Sequence, residues 1–137
     1  MKLAPKPAWR AVVIASMAMA QCGCDAMFYR RIEVRDPETA AFAIDGPSAQ
    51  ALVSIVRAYA VDSKLTCPDS NQLPFKCSHG SYRVSAQSAE HGITVCYFAW
   101  GAQFERRKFE GRIKHLEEVL VNRFGAGSVT SMRDQCP

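Results

Sequence analysis

SYRVSAQSAEHGITVCYFAW, residues 81–100, decides the fold. Its first half alternates, with Tyr82, Val84 and Ala86 on one side, the period of a half-buried strand. AEHG, residues 89–92, turns the chain. ITVCYFAW, residues 93–100, returns as a strand apolar on both faces, which suits the middle of a sheet. If Ile93, Val95, Tyr97 and Ala99 face a core, then Cys96, Phe98 and Trp100 face the other way.

The flanking segments supply the rest. FYRRIEVRD, residues 28–36, alternates with Ile32 and Val34 on one side and Arg31, Glu33 and Arg35 on the other. Residues 46–65 open with Pro47 near a helix start and Ser48 as a cap, and Leu52, Ile55, Val56 and Tyr59 follow at helical spacing. Residues 104–124 carry the stripe Phe109, Ile113, Leu116, Leu120 and Phe124, with Gly125 placed to end the helix. SVTSMRD, residues 128–134, is a short last strand. The order β-α-β-β-α-β resembles the split βαβ, or ferredoxin-like, arrangement over roughly residues 28 to 135. That resemblance implies an α+β fold with a four-stranded antiparallel sheet and both helices on one face. It says little of function, because the arrangement hosts many.

In such a fold the second sheet face is open. Phe98 and Trp100, flanked by Arg31 and Arg35, then form a candidate protein-docking patch. The competing expectation is that the loop over residues 63–80 folds across these rings. RNA-binding sheets of this topology also display aromatics, but charge argues against nucleic acid. Three of the 17 basic residues, Lys2, Lys6 and Arg10, precede the first apolar run, and the remaining 14 face 13 acidic ones. A domain so balanced has no electrostatic footprint for a polyanion.

The leader sets the compartment. A positive segment over residues 1–10 is followed by AVVIASMAMA, residues 11–20, ten apolar residues where a bilayer span needs about 20. Together they have the tripartite form of a secretory signal peptide. Ala18-Met19-Ala20 offers cleavage before Gln21. QCGC, residues 21–24, resembles a bacterial lipobox, with Gly23 before Cys24 and Gln21 where such boxes carry an aliphatic residue. The resemblance implies a lipid-bearing Cys24 that holds the domain on a membrane. The expected organisation is a signal peptide over residues 1–23, a tether over 24–28 and a single periplasmic domain over 29–137. Cleavage before Cys24 leaves Cys67, Cys77, Cys96 and Cys136, an even set suited to an oxidising compartment. Cys67 and Cys77 bracket the loop-forming PDSNQLPFK and read as a local staple worth about 3 kcal/mol. Sequence alone leaves three connectivities open.

Several chemistries are weighed and set aside. The spacing of Cys67 and Cys77 lacks the short knuckle of a zinc site, even with His79 added. Cys22 and Cys24 form a C-x-C pair with no helix behind them to activate a thiol. His79, His91 and His115 share no spacing with one another or with a carboxylate pair. No nucleophile elbow, metal-ligand run or cofactor motif stands out, so no catalytic, metal or cofactor residues are assigned. A basic run, Arg106, Arg107, Lys108, Arg112 and Lys114, opens the last helix against its dipole. It reads as a solvated face or as a contact for anionic headgroups. Intact-mass measurement of the mature protein checks the leader reading. The expected mass starts at Cys24, adds acyl chains and lacks four hydrogens, two per disulfide. A full-length chain with reduced thiols refutes it.

Overall fold

The computed structural model describes residues 25–35, 47–90, 92–102, 106–133 and 136. Seven elements follow in order: β1 (Asp25–Val34), α1 (Pro47–Asp62), β2 (Phe75–His79), β3 (Tyr82–Ala89), β4 (Gly92–Ala102), α2 (Arg106–Phe124) and β5 (Val129–Met132). The fold is α+β. Its sheet is antiparallel with strand order β2-β3-β4-β1-β5, and β4 is the middle strand.

One expectation needs correction. The sheet has five strands, not four, because residues 75–79 pair with β3 where a loop was expected. PFK ends a turn-rich run, which hid the alternation of buried Phe75 and Cys77 with exposed Lys76 and Ser78. The first strand begins at Asp25, and residues 25–28 are paired with β4. Smaller shifts occur at helix starts: α1 begins at Pro47, which puts Ser48 inside it, and α2 begins at Arg106. Cys24, the leader and His91 lie outside the described residues.

Alternation explains the single core. Ile32 and Val34 of β1, Val84 and Ala86 of β3, and Ile93, Val95, Tyr97 and Ala99 of β4 are all buried on one side of the sheet. Leu52, Val53 and Val56 of α1 and Phe109, Ile113, Leu116 and Leu120 of α2 close over them, with Phe124 half-buried against the cluster. Helix α1 lies over β2 and β3 while α2 lies over β1 and β5, and the helices touch each other. Burying side chains of this size stabilises by roughly 1.5–3 kcal/mol each before entropy is charged against it.

Both helices end by left-handed caps. At α1, Leu65 N–H donates to Ala60 C=O at 2.8 Å and Lys64 N–H to Val61 C=O at 3.0 Å, with Lys64 at φ 64°. This is a Schellman ending, and buried Leu65 supplies its apolar contact. At α2, Gly125 has φ 91° and donates to Val121 C=O at 2.8 Å. A second backbone constraint sits where β4 begins, since a Cβ on Gly92 would lie 2.1 Å from Val34 O.

Two outcomes follow in chemical denaturation. Gly92→Ala forces β1 and β4 apart and lowers stability by about 2 kcal/mol or more. Lys64→Gly relieves the left-handed strain of a side chain at the cost of unfolded-chain freedom, for a net gain of about 0.5 kcal/mol.

Candidate functional site

The face of the sheet turned away from the helices carries the residues expected to bind a partner. Register arranges them in rows. Trp100 on β4 stands opposite Met27 on β1, Phe98 opposite Tyr29, and Cys96 opposite Arg31. On the other flank of β4, Arg83 of β3 stands opposite Phe98 and Ser85 opposite Cys96. The Phe98 and Tyr29 ring centroids are 5.1 Å apart, and the Arg83 guanidinium lies 5.8 Å from the Phe98 centroid. Met27 is 61% exposed and Trp100 50%, while Phe98 is only partly exposed. The result is an apolar patch bordered by a cation at one end of the open face.

The stapled loop does not lie over these rings. Arg57 of α1 holds it on the helix side, donating from Nε to Asn71 Oδ1 at 2.6 Å and from Nη2 to the carbonyls of Pro68 at 2.5 Å and Ser70 at 3.2 Å. Thr66 exchanges both backbone hydrogen bonds with Ser78, so Cys67 and Cys77 face each other as a close, non-hydrogen-bonded pair. Their Cα atoms are 4.3 Å apart and they form a disulfide. Neither thiolate is therefore available to a metal. Cys96 and Cys136 form the second disulfide, with Cα atoms 5.8 Å apart. That bond puts Cys136 over the open face at the level of Arg31.

Arg31 lies on the open face one row from Tyr29 and Phe98, and Arg35 lies two rows farther along β1. Glu33, between them on β1, accepts from Arg31 Nη2 at 2.5 Å and from Arg35 Nη2 at 3.4 Å. Arg35 lies eight positions along the strand from Met27, about 26 Å away. The cation beside the rings is Arg83, which sequence reading missed. Its cue was available, since Arg83 alternates with Tyr82 and Val84 and so falls on the open face.

A second polar assembly lies on the other side of the molecule, between the helices. Tyr59 of α1 and Tyr97 of β4 meet edge to face with centroids 6.0 Å apart, and both hydroxyls are buried without an aligned hydrogen-bond partner among the described residues. Arg112 of α2 places its guanidinium 4.6 Å from the Tyr82 ring centroid and acts electrostatically on Tyr59 and Tyr97. Burial first, and then the neighbouring Tyr97, pushes the Tyr59 hydroxyl far above its ordinary pKa. Burial raises Tyr97 too, although Arg112 works in the opposite direction. For Arg112, burial disfavours the cation, but the tyrosines outweigh it and the pKa rises. The assembly opens into a cleft of about 410 Å³ lined by Tyr59, Asp62, Ser63, Lys108, Gly111, Arg112 and His115. These residues come from α1, the turn just after it and α2, with Tyr82 and Tyr97 beneath from two strands, so no linear motif could have announced them.

No protein-family model, curated protein or solved structure matches the chain. Its chemistry must be read from its own residues. Among the described residues no group of three or more histidine, cysteine or acidic side chains is placed to hold a metal ion. No described helix is long and apolar enough to cross a membrane.

The tyrosines give a pH prediction with a definite sign. Below about pH 10 they are protonated in both folded and unfolded chains. Above it the unfolded chain releases protons that Tyr59 and Tyr97 retain when folded, so stability falls as pH rises. Denaturation monitored from neutral pH to pH 11 is expected to show that fall, and Tyr59→Phe to lessen it.

Proposed function

We propose that the protein is an exported, lipid-anchored domain that docks a protein partner on its open sheet face and is not itself a catalyst. The observation that carries this reading is the patch of Met27, Tyr29, Phe98 and Trp100 with Arg83 at its edge. Large aromatics beside an arginine are the side chains that dominate binding at protein interfaces. Anchoring through Cys24 is the companion reading, supported by the leader, the lipobox resemblance and the pairing of all four remaining cysteines. Lipid on Cys24 would place a membrane one residue from the start of β1.

With β2 set aside, the strand order is β3-β4-β1-β5, and both helices pack on one face. We read this as a ferredoxin-like unit extended by one edge strand. The added strand carries Cys77 and so couples the stapled loop to the sheet.

The partner surface suits apolar groups combined with acidic ones. Lys76, Arg83 and Arg133 are exposed cations of the open-face strands and the segment after β5, and Glu33 is already engaged by two arginines. A photo-crosslinking residue in place of Trp100, introduced in the native host, is expected to trap one dominant protein. With the crosslinker moved to Met27, Phe98→Ala and Arg83→Ala should each weaken that capture tenfold or more, about 1.4 kcal/mol. Thermal midpoints of Trp100→Ala and Arg83→Ala should remain near wild type. Loss of folding in Trp100→Ala instead assigns that ring to the core and removes the docking reading.

A further inference from the structure

We propose that the cleft between α1 and α2 is a binding site for a phosphate group, with Arg112 as its principal contact. This site is separate from the open sheet face and does not depend on the function proposed for it.

Three independent observations meet there. The first is unused hydrogen-bonding capacity. The Tyr59 hydroxyl belongs to a side chain on the cleft wall that is only 8% exposed, and it has no aligned partner among the described residues. A buried hydroxyl left in this state costs about 1–3 kcal/mol, a cost that a bound acceptor would remove. Behind it the wholly buried Tyr97 hydroxyl is in the same condition. Burial holds the Tyr59 hydroxyl in the protonated form, so it remains a donor at neutral pH.

The second is charge. Arg112 lies on the cleft wall with Lys108, His115 and Asp62. The Tyr82 ring holds the Arg112 guanidinium in place, and Ser63 adds a hydroxyl to the wall. A planar guanidinium with several N–H donors beside hydroxyl donors is a set that recognises phosphate oxygens.

The third is space. Gly111 sits in the interior of α2, where glycine is unfavourable relative to alanine, and a Cβ there would meet no atom within 4 Å. Packing within the chain therefore gives no reason for the missing side chain. The residue lines the cleft beside Arg112, and its absence of a side chain leaves room for a ligand.

The phosphate could belong to a free metabolite or to a lipid headgroup, and the experiment separates these. Inorganic phosphate is titrated into the purified protein while tyrosine fluorescence and backbone amide shifts are followed. Saturable binding is expected, with resonances of Tyr59, Ser63 and Arg112 moving together. Arg112→Gln should weaken it at least tenfold and Tyr59→Phe severalfold. Gly111→Ala is the sharpest variant, because it should raise the thermal midpoint yet weaken phosphate. Competition with phosphatidylglycerol vesicles, but not with phosphatidylcholine vesicles, identifies a headgroup, and the absence of competition identifies a free phosphate compound. If phosphate shows no saturable binding, the proposal fails. It also fails if folded Tyr59→Phe and Gly111→Ala bind phosphate as wild type does.

Discussion

The ladder between β1 and β4 runs through ten residue pairs, from Asp25 opposite Ala102 to Val34 opposite Ile93. Both surfaces of the molecule depend on its register. A shift of one residue would turn Ile32 and Val34 out of the core and bring charged Arg31 and Glu33 under the helices. It would also separate Tyr29 from Phe98 and Met27 from Trp100. The close approach of Gly92 to Val34 pins the end of this ladder, since only a residue without Cβ lets the backbones meet there. A two-residue shift would preserve the facing of every side chain, but it would remove this fit.

One helix-facing position on β1 breaks the apolar pattern. Arg30 points toward α2 with a side chain only 11% exposed and pairs with Glu110 and, at 4.0 Å, with Glu117. Glu117 also accepts from Ser131 of β5. The two glutamates are seven residues apart on α2, which puts them on one stripe of the helix beside the apolar one. A buried pair of this kind contributes little net stability, because desolvation offsets attraction. It does oppose alternative seatings of the helix, since any rotation of α2 leaves Arg30 uncompensated.

How much of this was legible in the sequence depends on the range of the signal. Strands β3 and β4 and both helices were readable because their apolar periods are local and long. The face assignment of Cys96, Phe98 and Trp100 followed from the same alternation. Strand β2 was missed because five residues after a Pro- and Asn-rich loop give too short a pattern, and the paired state comes from β3 and from Thr66. The cation over the Phe98 ring was missed because it comes from another strand. Glu33 engages both Arg31 and Arg35, whereas Arg83 reaches Phe98 only through strand pairing. The tyrosine and arginine cleft was invisible for the same reason, with residues 59, 82, 97 and 112 on four elements.

The disulfide between Cys96 and Cys136 shapes the open face as much as it stabilises it. Its loop spans 40 positions, so on chain entropy alone it contributes about 4 kcal/mol, against about 3 for the ten-position loop of Cys67 and Cys77. Cys96 occupies the middle row of the face, opposite Arg31 and Ser85. The bonded Cys136 therefore divides that face in two. On one side lie Thr94, Glu33 and Arg35, where Glu33 pairs with Arg31 and Arg35. On the other lie Phe98, Trp100, Tyr29 and Met27, whose apolar surface nothing on their own strands neutralises. The exposed apolar area of this face is thereby confined to one end, next to the first residue of β1.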